Sequence, residues 1–264
     1  MKLLKKTFQI VEEFEKNEGK PLSITELSKR LSLPKSTVFQ IVHSLHNFRW
    51  LERLDDSKKY VLGLRLFELG NLVQANSRLR QIALSHLEKL RKETNETVYL
   101  VVYDQAEIVY LECLESQLRL RARPVYGIRV PLHCTSLGKA IMAFLPDQEV
   151  QNIIREKGLI GFTERTIIDQ DRLEKELKEI KKRGYAIDWG EHEEGIRCIG
   201  APIFNHLGKV FAAVSISGPD FRFSKEKIND FAPLVVRTAQ DISYKVGYVE
   251  GLKITNNKEG HSLL

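Results

Sequence analysis

Residues 23–48 read SITELSKRLSLPKSTVFQIVHSLHNF and predict two short helices joined by a tight corner. Ser23 is followed three residues later by Glu26, which is the spacing of a helix-capping box. Apolar residues then recur at helical spacing, and Pro34 suits the first turn of the second helix, where a missing N–H is tolerated. The predicted apolar stripe of this second helix consists of Val38, Ile41, Val42, Leu45 and Phe48.

The opposite face of the second helix is small, polar or basic. Near its N-terminal end this face carries Lys35, Ser36, Thr37, Phe39, Gln40 and His43. In a helix-turn-helix protein, this part of the recognition helix meets base edges and phosphates in the major groove. Gln40 has the groups that pair with adenine, and the hydroxyls can hold phosphate oxygens. The pattern predicts binding to double-stranded DNA, and a helical hairpin with a solvated face is the alternative.

The residues after this helix favour the DNA-binding alternative. Residues 50–62 read as a strand, a polar turn and a second strand, which is a β-hairpin. A hairpin directly after a recognition helix is a wing, and Lys58 and Lys59 at its tip are predicted to lie near phosphates. With a first helix over residues 7–16, these elements predict a winged helix-turn-helix domain over residues 1–63.

Charge and composition agree with a nucleic-acid partner. The chain of 264 residues has a formal net charge of +6. Residues 1–75 hold 13 Lys and Arg against 9 Asp and Glu, whereas the other residues hold 28 against 26, so the basic excess is concentrated in the smaller N-terminal part. The sequence contains no run of about 18 apolar residues, so no membrane-spanning helix is predicted. Three cysteines are too few for a disulfide framework, and the first residues lack a signal-peptide pattern, so we expect a cytoplasmic protein.

The remaining chain predicts a linker and a second domain. Residues 64–77 are helical in pattern and form the expected linker helix, and residues 251–264 form an expected loose C-terminal tail. Residues 78–250 alternate helices with antiparallel hairpins, so the fold class is predicted to be α+β with two domains. Residues 118–122 are predicted as one of these strands. In such a strand Arg119, Arg121 and Arg123 would lie on one face, which we interpret as a solvent-exposed edge of the sheet.

Several segments, in their order and spacing, are similar to one known family. They are residues 33–37, 60–70, 97–100, 131–140, 183–186, 193–204 and 212–219. The chain resembles the IclR family of bacterial transcriptional regulators over nearly its whole length. It departs from the family at Gln40, where members often carry Arg at or near this position. Gln prefers adenine where Arg prefers guanine, so the departure bears on the operator sequence.

The resemblance implies a winged-helix domain, a linker helix and a GAF-like effector domain. Family members usually act as homodimers or homotetramers on palindromic operators, often as repressors, and many sense small organic acids such as keto acids or sugar acids. A regulator of this kind is not an enzyme, and no cofactor is implied. The effector pocket implied by the resemblance is formed by Ser136, Leu137, Asp188, Cys198, Ser215 and Ser217.

The residues themselves give a weaker indication of the same site. Ser215 and Ser217 lie two apart in a predicted strand, so their hydroxyls point to one side and can bind a carboxylate or a keto oxygen. Thr135 and Ser136 open a predicted helix whose free N–H groups can hold an anion. Plain strand alternation and simple helix capping are the structural alternatives.

Two other functions are left open by the sequence. Asp188, His192 and Cys198 could hold a metal ion, which would make the chain a metal-sensing regulator. A Cys-dependent enzyme is the second alternative, with a nucleophilic site drawn from Cys134, Cys198, His133 and His192. No spacing enforces such a site, and single cysteines in strands are usually buried hydrophobes.

Overall fold

The computed structural model describes residues 2–123 and 126–249 and divides the chain into two compact units, Met1–Asn76 and Ser77–Leu264. The first unit holds a helix-turn-helix and the second is built on a curled antiparallel sheet, which confirms the predicted α+β class with two domains. The predicted loose tail, residues 251–264, lies outside the described residues.

The first unit is a helix, a helix-turn-helix, a hairpin and a last helix. Its elements are α1 (Lys2–Lys16), α2 (Ile24–Leu31), α3 (Lys35–Asn47), β1 (Leu51–Arg53), β2 (Tyr60–Leu62) and α4 (Leu64–Asn76). The predicted capping box is present, because Ser23 accepts a hydrogen bond from the Glu26 amide and the Glu26 carboxylate accepts one from the Ser23 amide. These bonds lower the pKa of Glu26 to about 2.

A single apolar core holds the first three helices and the hairpin together. Ile10 and Phe14 of α1, Leu27 of α2, and Val38 and Val42 of α3 are fully buried in it. The predicted stripe of α3 is confirmed except at its end. Phe48 was predicted inside the stripe, but α3 ends at Asn47, and Phe48 caps the helix with 74% of its surface exposed.

The linker helix α4 has no buried residue within the described chain. Leu64, Phe67, Leu72 and Val73 are all more than half exposed. Its first turn is attached to the hairpin, because the Leu64 amide donates to the Glu52 carboxylate at 3.2 Å.

The second unit is a six-stranded sheet with helices on both faces. Its elements are α5 (Arg78–Thr94), β3 (Thr97–Asp104), β4 (Glu107–Leu114), β5 (Arg129–Val130), α6 (Ser136–Met142), α7 (Asp147–Lys157), α8 (Gln170–Arg183), β6 (Ala186–Asp188), β7 (Ile196–Phe204), β8 (Val210–Pro219) and α9 (Lys225–Lys245). The strand order is β5, β4, β3, β8, β7, β6, and every pairing is antiparallel.

Alternate residues of the central strands feed two separate cores. Val98 and Leu100 of β3 join the core that contains α5 and α9. Tyr99 and Val101 of the same strand join the opposite core, which contains α6, α7 and α8. The sheet therefore forms the middle of three layers, as the period-2 alternation of strand side chains requires.

The structure contradicts the strand predicted over residues 118–122. That segment is irregular, and the edge strand beside β4 is Arg129–Val130. The three arginines consequently do not share a strand face. Arg121 forms an ion pair with Glu115 at 2.8 Å, whereas Arg123 lies at the edge of a cavity described below. Alternation is a local sequence pattern, whereas a strand requires backbone hydrogen bonds to a neighbouring strand. Residues 118–122 take part in none of the strand pairings of the sheet.

No helix in the described part of the chain is both long enough and apolar enough to cross a lipid bilayer.

Candidate functional site

The predicted DNA-binding face of α3 is accessible. Lys35, Ser36, Phe39, Gln40 and His43 are exposed, and Thr37 is half-buried. The Phe39 and His43 rings stack with their centroids 5.8 Å apart and their planes 3° from parallel. The face therefore presents a flat apolar and aromatic surface beside hydrogen-bonding groups, which suits contact with a thymine methyl group and a base edge.

The two wing lysines differ in their surroundings. Lys58 is exposed in the turn of the hairpin and has a left-handed backbone with φ of 53°. The ammonium group of Lys59 lies 3.4 Å from the Glu26 carboxylate, so Lys59 connects the wing to α2. Lys58 is therefore the freer of the two predicted phosphate contacts.

In the second unit, two rows of directly paired residues cross the sheet on the face that α6 covers. The rows are Asp188, Cys198 and Ser217, and then Gly200, Ser215 and Tyr99. Directly paired residues of antiparallel strands point to the same face, so the small polar side chains of β6, β7 and β8 form one patch. This patch, with the first turn of α6, lines the cavity that we call the sheet cavity.

All six predicted effector residues line the sheet cavity. They are Ser136, Leu137, Asp188, Cys198, Ser215 and Ser217. They come from four different elements between residues 136 and 217, so only the fold brings them together. Their roles in binding remain predictions.

A close contact between α6 and β7 sets one wall of the sheet cavity. A Cβ atom added to Gly200 would lie 2.8 Å from the carbonyl carbon of Ser136 and 3.0 Å from the Leu137 amide nitrogen. Only glycine allows β7 to pass this close to the first turn of α6. Thr135 caps that turn by accepting a hydrogen bond from the Gly138 amide.

The hydroxyl groups on the sheet differ in their hydrogen bonding. Ser217 accepts a hydrogen bond from the Cys198 thiol at 3.1 Å. The Ser215 hydroxyl is buried and has no hydrogen-bond partner within residues 2–123 and 126–249. A buried polar group without a partner is uncommon and is explained here if a ligand supplies the partner.

Asp188 is the acidic group of the cavity. One of its oxygens accepts hydrogen bonds from the amides of Gly190 at 2.9 Å and Glu191 at 2.7 Å. Burial and the negative charge of Glu191 raise the pKa of Asp188, whereas the two amide hydrogen bonds and the positive charge of Lys139 lower it, and the net result is a pKa of about 7. Near neutral pH the Asp188 carboxyl group is therefore partly protonated and can donate as well as accept a hydrogen bond.

A buried ion pair supports the loop after Asp188. Lys139 of α6 is 1% exposed, and its ammonium group donates to the carboxylate of Glu191. The second oxygen of Glu191 has no partner among the described residues. The pair joins α6 to the loop between β6 and β7, and thereby holds two walls of the sheet cavity together.

Sequence reasoning missed four polar side chains of the cavity, those of Tyr99, Tyr110, Arg123 and Glu193. Tyr99 and Tyr110 lie on β3 and β4, with ring centroids 5.2 Å apart at 78°, and burial raises the pKa of both phenols. Arg123 was read as a solvated edge residue. The signal for Tyr99 was its place in the strand that pairs with Ser215, which only the sheet order reveals.

Neither alternative function gains support from the geometry. Within the described ranges, no group of three or more His, Cys, Asp or Glu side chains could hold a metal ion. Burial raises the pKa of Cys134 to about 12 and that of Cys198 well above its usual value. Both thiols are therefore protonated near neutral pH, and a protonated thiol is a poor nucleophile.

Comparison with known proteins identifies the family. The model of the bacterial transcriptional regulator IclR C-terminal domain matches residues 72–244, and the IclR helix-turn-helix model matches residues 3–55. The chain is 36% identical to the regulator KdgR of Escherichia coli over 231 residues, which cover 88% of each protein. It is 32% identical to the repressor AllR of Escherichia coli over 244 residues, or 92% of this chain and 90% of AllR.

A solved structure agrees with both comparisons. An IclR homologue from Microbacterium hydrocarbonoxydans, crystallised with 4-hydroxybenzoate, superposes with a TM-score of 0.78 at 25% identity, and the match covers 92% of this chain and 98% of the homologue. The relatives are transcriptional regulators and not enzymes. The chain belongs to the IclR family and is a DNA-binding transcriptional regulator.

Proposed function

We propose that this regulator is a cytoplasmic repressor that senses a small organic acid in the sheet cavity and binds a palindromic operator as a homodimer or homotetramer. The observation that carries the acid-sensing part is the buried Ser215 hydroxyl, which lines the cavity and has no partner among the described residues. The acid bound to the Microbacterium homologue and the repressor role named for AllR support the same proposal.

In this proposal, the six predicted effector residues hold the acid through uncharged hydrogen-bonding groups. The Ser215 and Ser217 hydroxyls meet a carboxylate or keto oxygen, and Asp188 meets a hydroxyl group or a second oxygen. Ser136, Leu137 and Cys198 shape the walls. A site built to pair a ligand oxygen rejects analogues that lack it, because its buried polar groups are then left unpaired.

The DNA contacts are divided between α3 and the wing. Gln40, with Phe39 and His43, reads base edges in the major groove, whereas Lys35, Ser36, Thr37, Lys58 and Lys59 contact phosphates. Base contacts specify sequence, whereas phosphate contacts bind all sequences and depend on salt.

The ligand can change DNA affinity only if it binds two arrangements of the regulator with different affinity. Helix α5 begins at Arg78, directly after α4 ends at Asn76. We propose that closure of the sheet cavity shifts α5, moves the linker helix α4 and changes the spacing of two recognition helices in the oligomer.

Selection of binding sites from a random duplex pool tests the DNA part. Wild-type protein should select an inverted repeat with half-sites about 34–36 Å apart or at a multiple of that distance. Gln40→Ala should change the selected bases, whereas Asn47→Ala, on the same face but at the C-terminal end of the helix, should not. Lys35→Ala or Lys58→Ala should lower the affinity for all DNA sequences alike. Each should also reduce the slope of log affinity against log salt concentration by about one per lost phosphate contact. An unchanged preference in Gln40→Ala would exclude Gln40 from base recognition.

A further inference from the structure

We propose that Arg123 is the residue that makes the sheet cavity select acids over neutral ligands, by pairing its guanidinium group with the ligand carboxylate at the mouth of the cavity. This inference rests on the proposed function and adds to it the residue that determines ligand charge. Arg123 lines the cavity together with the six predicted effector residues and is exposed to solvent.

The backbone of Arg123 is fixed to the floor of the cavity. The Tyr99 hydroxyl donates a hydrogen bond to the Arg123 carbonyl. One residue earlier, the Ala122 carbonyl accepts a hydrogen bond from Thr97 at 3.3 Å. Tyr99 and Thr97 both belong to β3, so two bonds from one central strand hold this irregular segment over the sheet. Arg123 is therefore positioned by the fold even though its segment is not a strand.

The guanidinium group of Arg123 is available for a ligand. Arg121, two residues earlier, is paired with Glu115 and also donates to the Leu118 carbonyl. Arg123 has no carboxylate within ion-pair distance in the parts of the chain that the structure describes. The pairing of the neighbouring arginine and the freedom of Arg123 separate the two residues that the sequence had placed on one face.

The positive charge of Arg123 acts electrostatically on a residue that lines the cavity. Burial lowers the pKa of His192, a lining residue; the charge of Glu193 opposes this, and the positive charge of Arg123 adds to the lowering. His192 is consequently neutral near pH 7. Among the described residues that line the cavity, Arg123 is thus the one side chain with a permanent positive charge. Glu193 also lines the cavity and carries the opposite charge, so a ligand carboxylate is favoured on the Arg123 side.

Among the side chains that line the sheet cavity, Arg123 discriminates most strongly between charged and neutral ligands. Serine hydroxyls and a partly protonated Asp188 accept either a carboxylate or a neutral amide, because each can donate and accept hydrogen bonds. A guanidinium group presents two parallel N–H groups that match the two oxygens of a carboxylate, and it keeps its charge at every physiological pH. Loss of one such charge-assisted contact corresponds to a tenfold to hundredfold loss in affinity, as an order of magnitude.

Ligand pairs that differ only in charge test the inference on the full-length protein. The probes are pyruvate, D-gluconate and 4-hydroxybenzoate, each paired with its primary amide, and the measurement is isothermal titration calorimetry. Wild type should bind at least one of these acids about tenfold or more tightly than the matching amide. Arg123→Gln should reduce this preference to a ratio of about one by lowering the affinity for the acid and not for the amide. Arg123→Lys should retain part of the preference. Arg121→Gln is the matched control and should keep the wild-type ratio.

Two results would overturn the inference in distinguishable ways. If Arg123→Gln binds the acid within about twofold of wild type, Arg123 does not select the carboxylate, and the acid-sensing proposal still stands. If wild type prefers the amides over the acids, the acid-sensing proposal itself fails, and the role of Arg123 fails with it.

Discussion

Truncation of Ser215 should change protein stability and ligand affinity in opposite directions. Its hydroxyl is buried and has no hydrogen-bond partner among the described residues, so the native fold bears the desolvation of this group without a compensating bond. An unpaired buried polar group costs about 1–3 kcal/mol. Ser215→Ala removes the hydroxyl from the folded protein, and the free energy of unfolding without ligand should therefore stay constant or rise by up to that amount.

Ser215→Ala should also lower the affinity of the protein for its effector. A hydrogen bond to a charged acceptor contributes about 1.5–3 kcal/mol, which corresponds to roughly tenfold to hundredfold in Kd. Urea denaturation of the ligand-free protein gives the stability, and calorimetric titration with the best-binding acid gives the affinity. Ser217→Ala is the matched control for the stability measurement only, because both hydroxyls belong to the proposed site. Its hydroxyl accepts the Cys198 hydrogen bond, so its removal leaves the thiol without an acceptor and should not stabilise the protein.

The reasoning would be refuted if Ser215→Ala lost more than about 1 kcal/mol of stability without ligand, since the hydroxyl would then have a structural partner. An unchanged Kd for the acid would equally remove Ser215 from the binding site.

Three further changes test the walls of the cavity. Gly200→Ala should destabilise the second unit by about 1–3 kcal/mol in urea denaturation, because its Cβ would lie 2.8 Å from the Ser136 backbone, and a wild-type midpoint would contradict the close contact. Lys139→Met should cost about 3–5 kcal/mol because it leaves Glu191 buried and unpaired, and addition of Glu191→Gln should recover most of this loss. Asp188 has a pKa raised from 3.8 to about 7, so its contribution to stability is complete below pH 3.8 and is lost as the pH rises through 7. The stability of Asp188→Asn relative to wild type should therefore increase between pH 5 and pH 8 by up to a few kcal/mol, and a constant difference would show that this carboxyl group is not perturbed.

Local signals explain why much of the first unit could be predicted. A capping box is contained within four residues, and both of its hydrogen bonds form between Ser23 and Glu26 as the sequence indicates. The stripe of α3 follows from helical spacing alone. The error at Phe48 concerns one position at the helix end, where the turn into the wing exposes a residue that the periodicity would bury.

The second unit shows where local signals end. Alternation in residues 215–217 correctly indicated one strand face, and the start of a helix indicated Ser136. Family resemblance was needed to join these residues with Leu137, Asp188 and Cys198, which line the same cavity. The strand predicted over residues 118–122, along which the arginines alternate, does not form; the segment is irregular, and the strand at this edge of the sheet is β5 at Arg129–Val130. The contact of Tyr99 with the Arg123 carbonyl joins residues 24 apart in the chain, and no local pattern encodes it.

The affinity of the full-length protein for its selected operator duplex, measured by fluorescence anisotropy at increasing concentrations of the best-binding acid, tests the central claim most directly. The account predicts that the acid changes the operator Kd of wild type. It also predicts that Ser215→Ala with Ser217→Ala shifts the midpoint of that change higher by at least the roughly tenfold to hundredfold expected for Ser215→Ala alone, while leaving operator affinity without acid at the wild-type value. An operator Kd that does not respond to an acid bound by the protein, or a midpoint unchanged in the double variant, would contradict it.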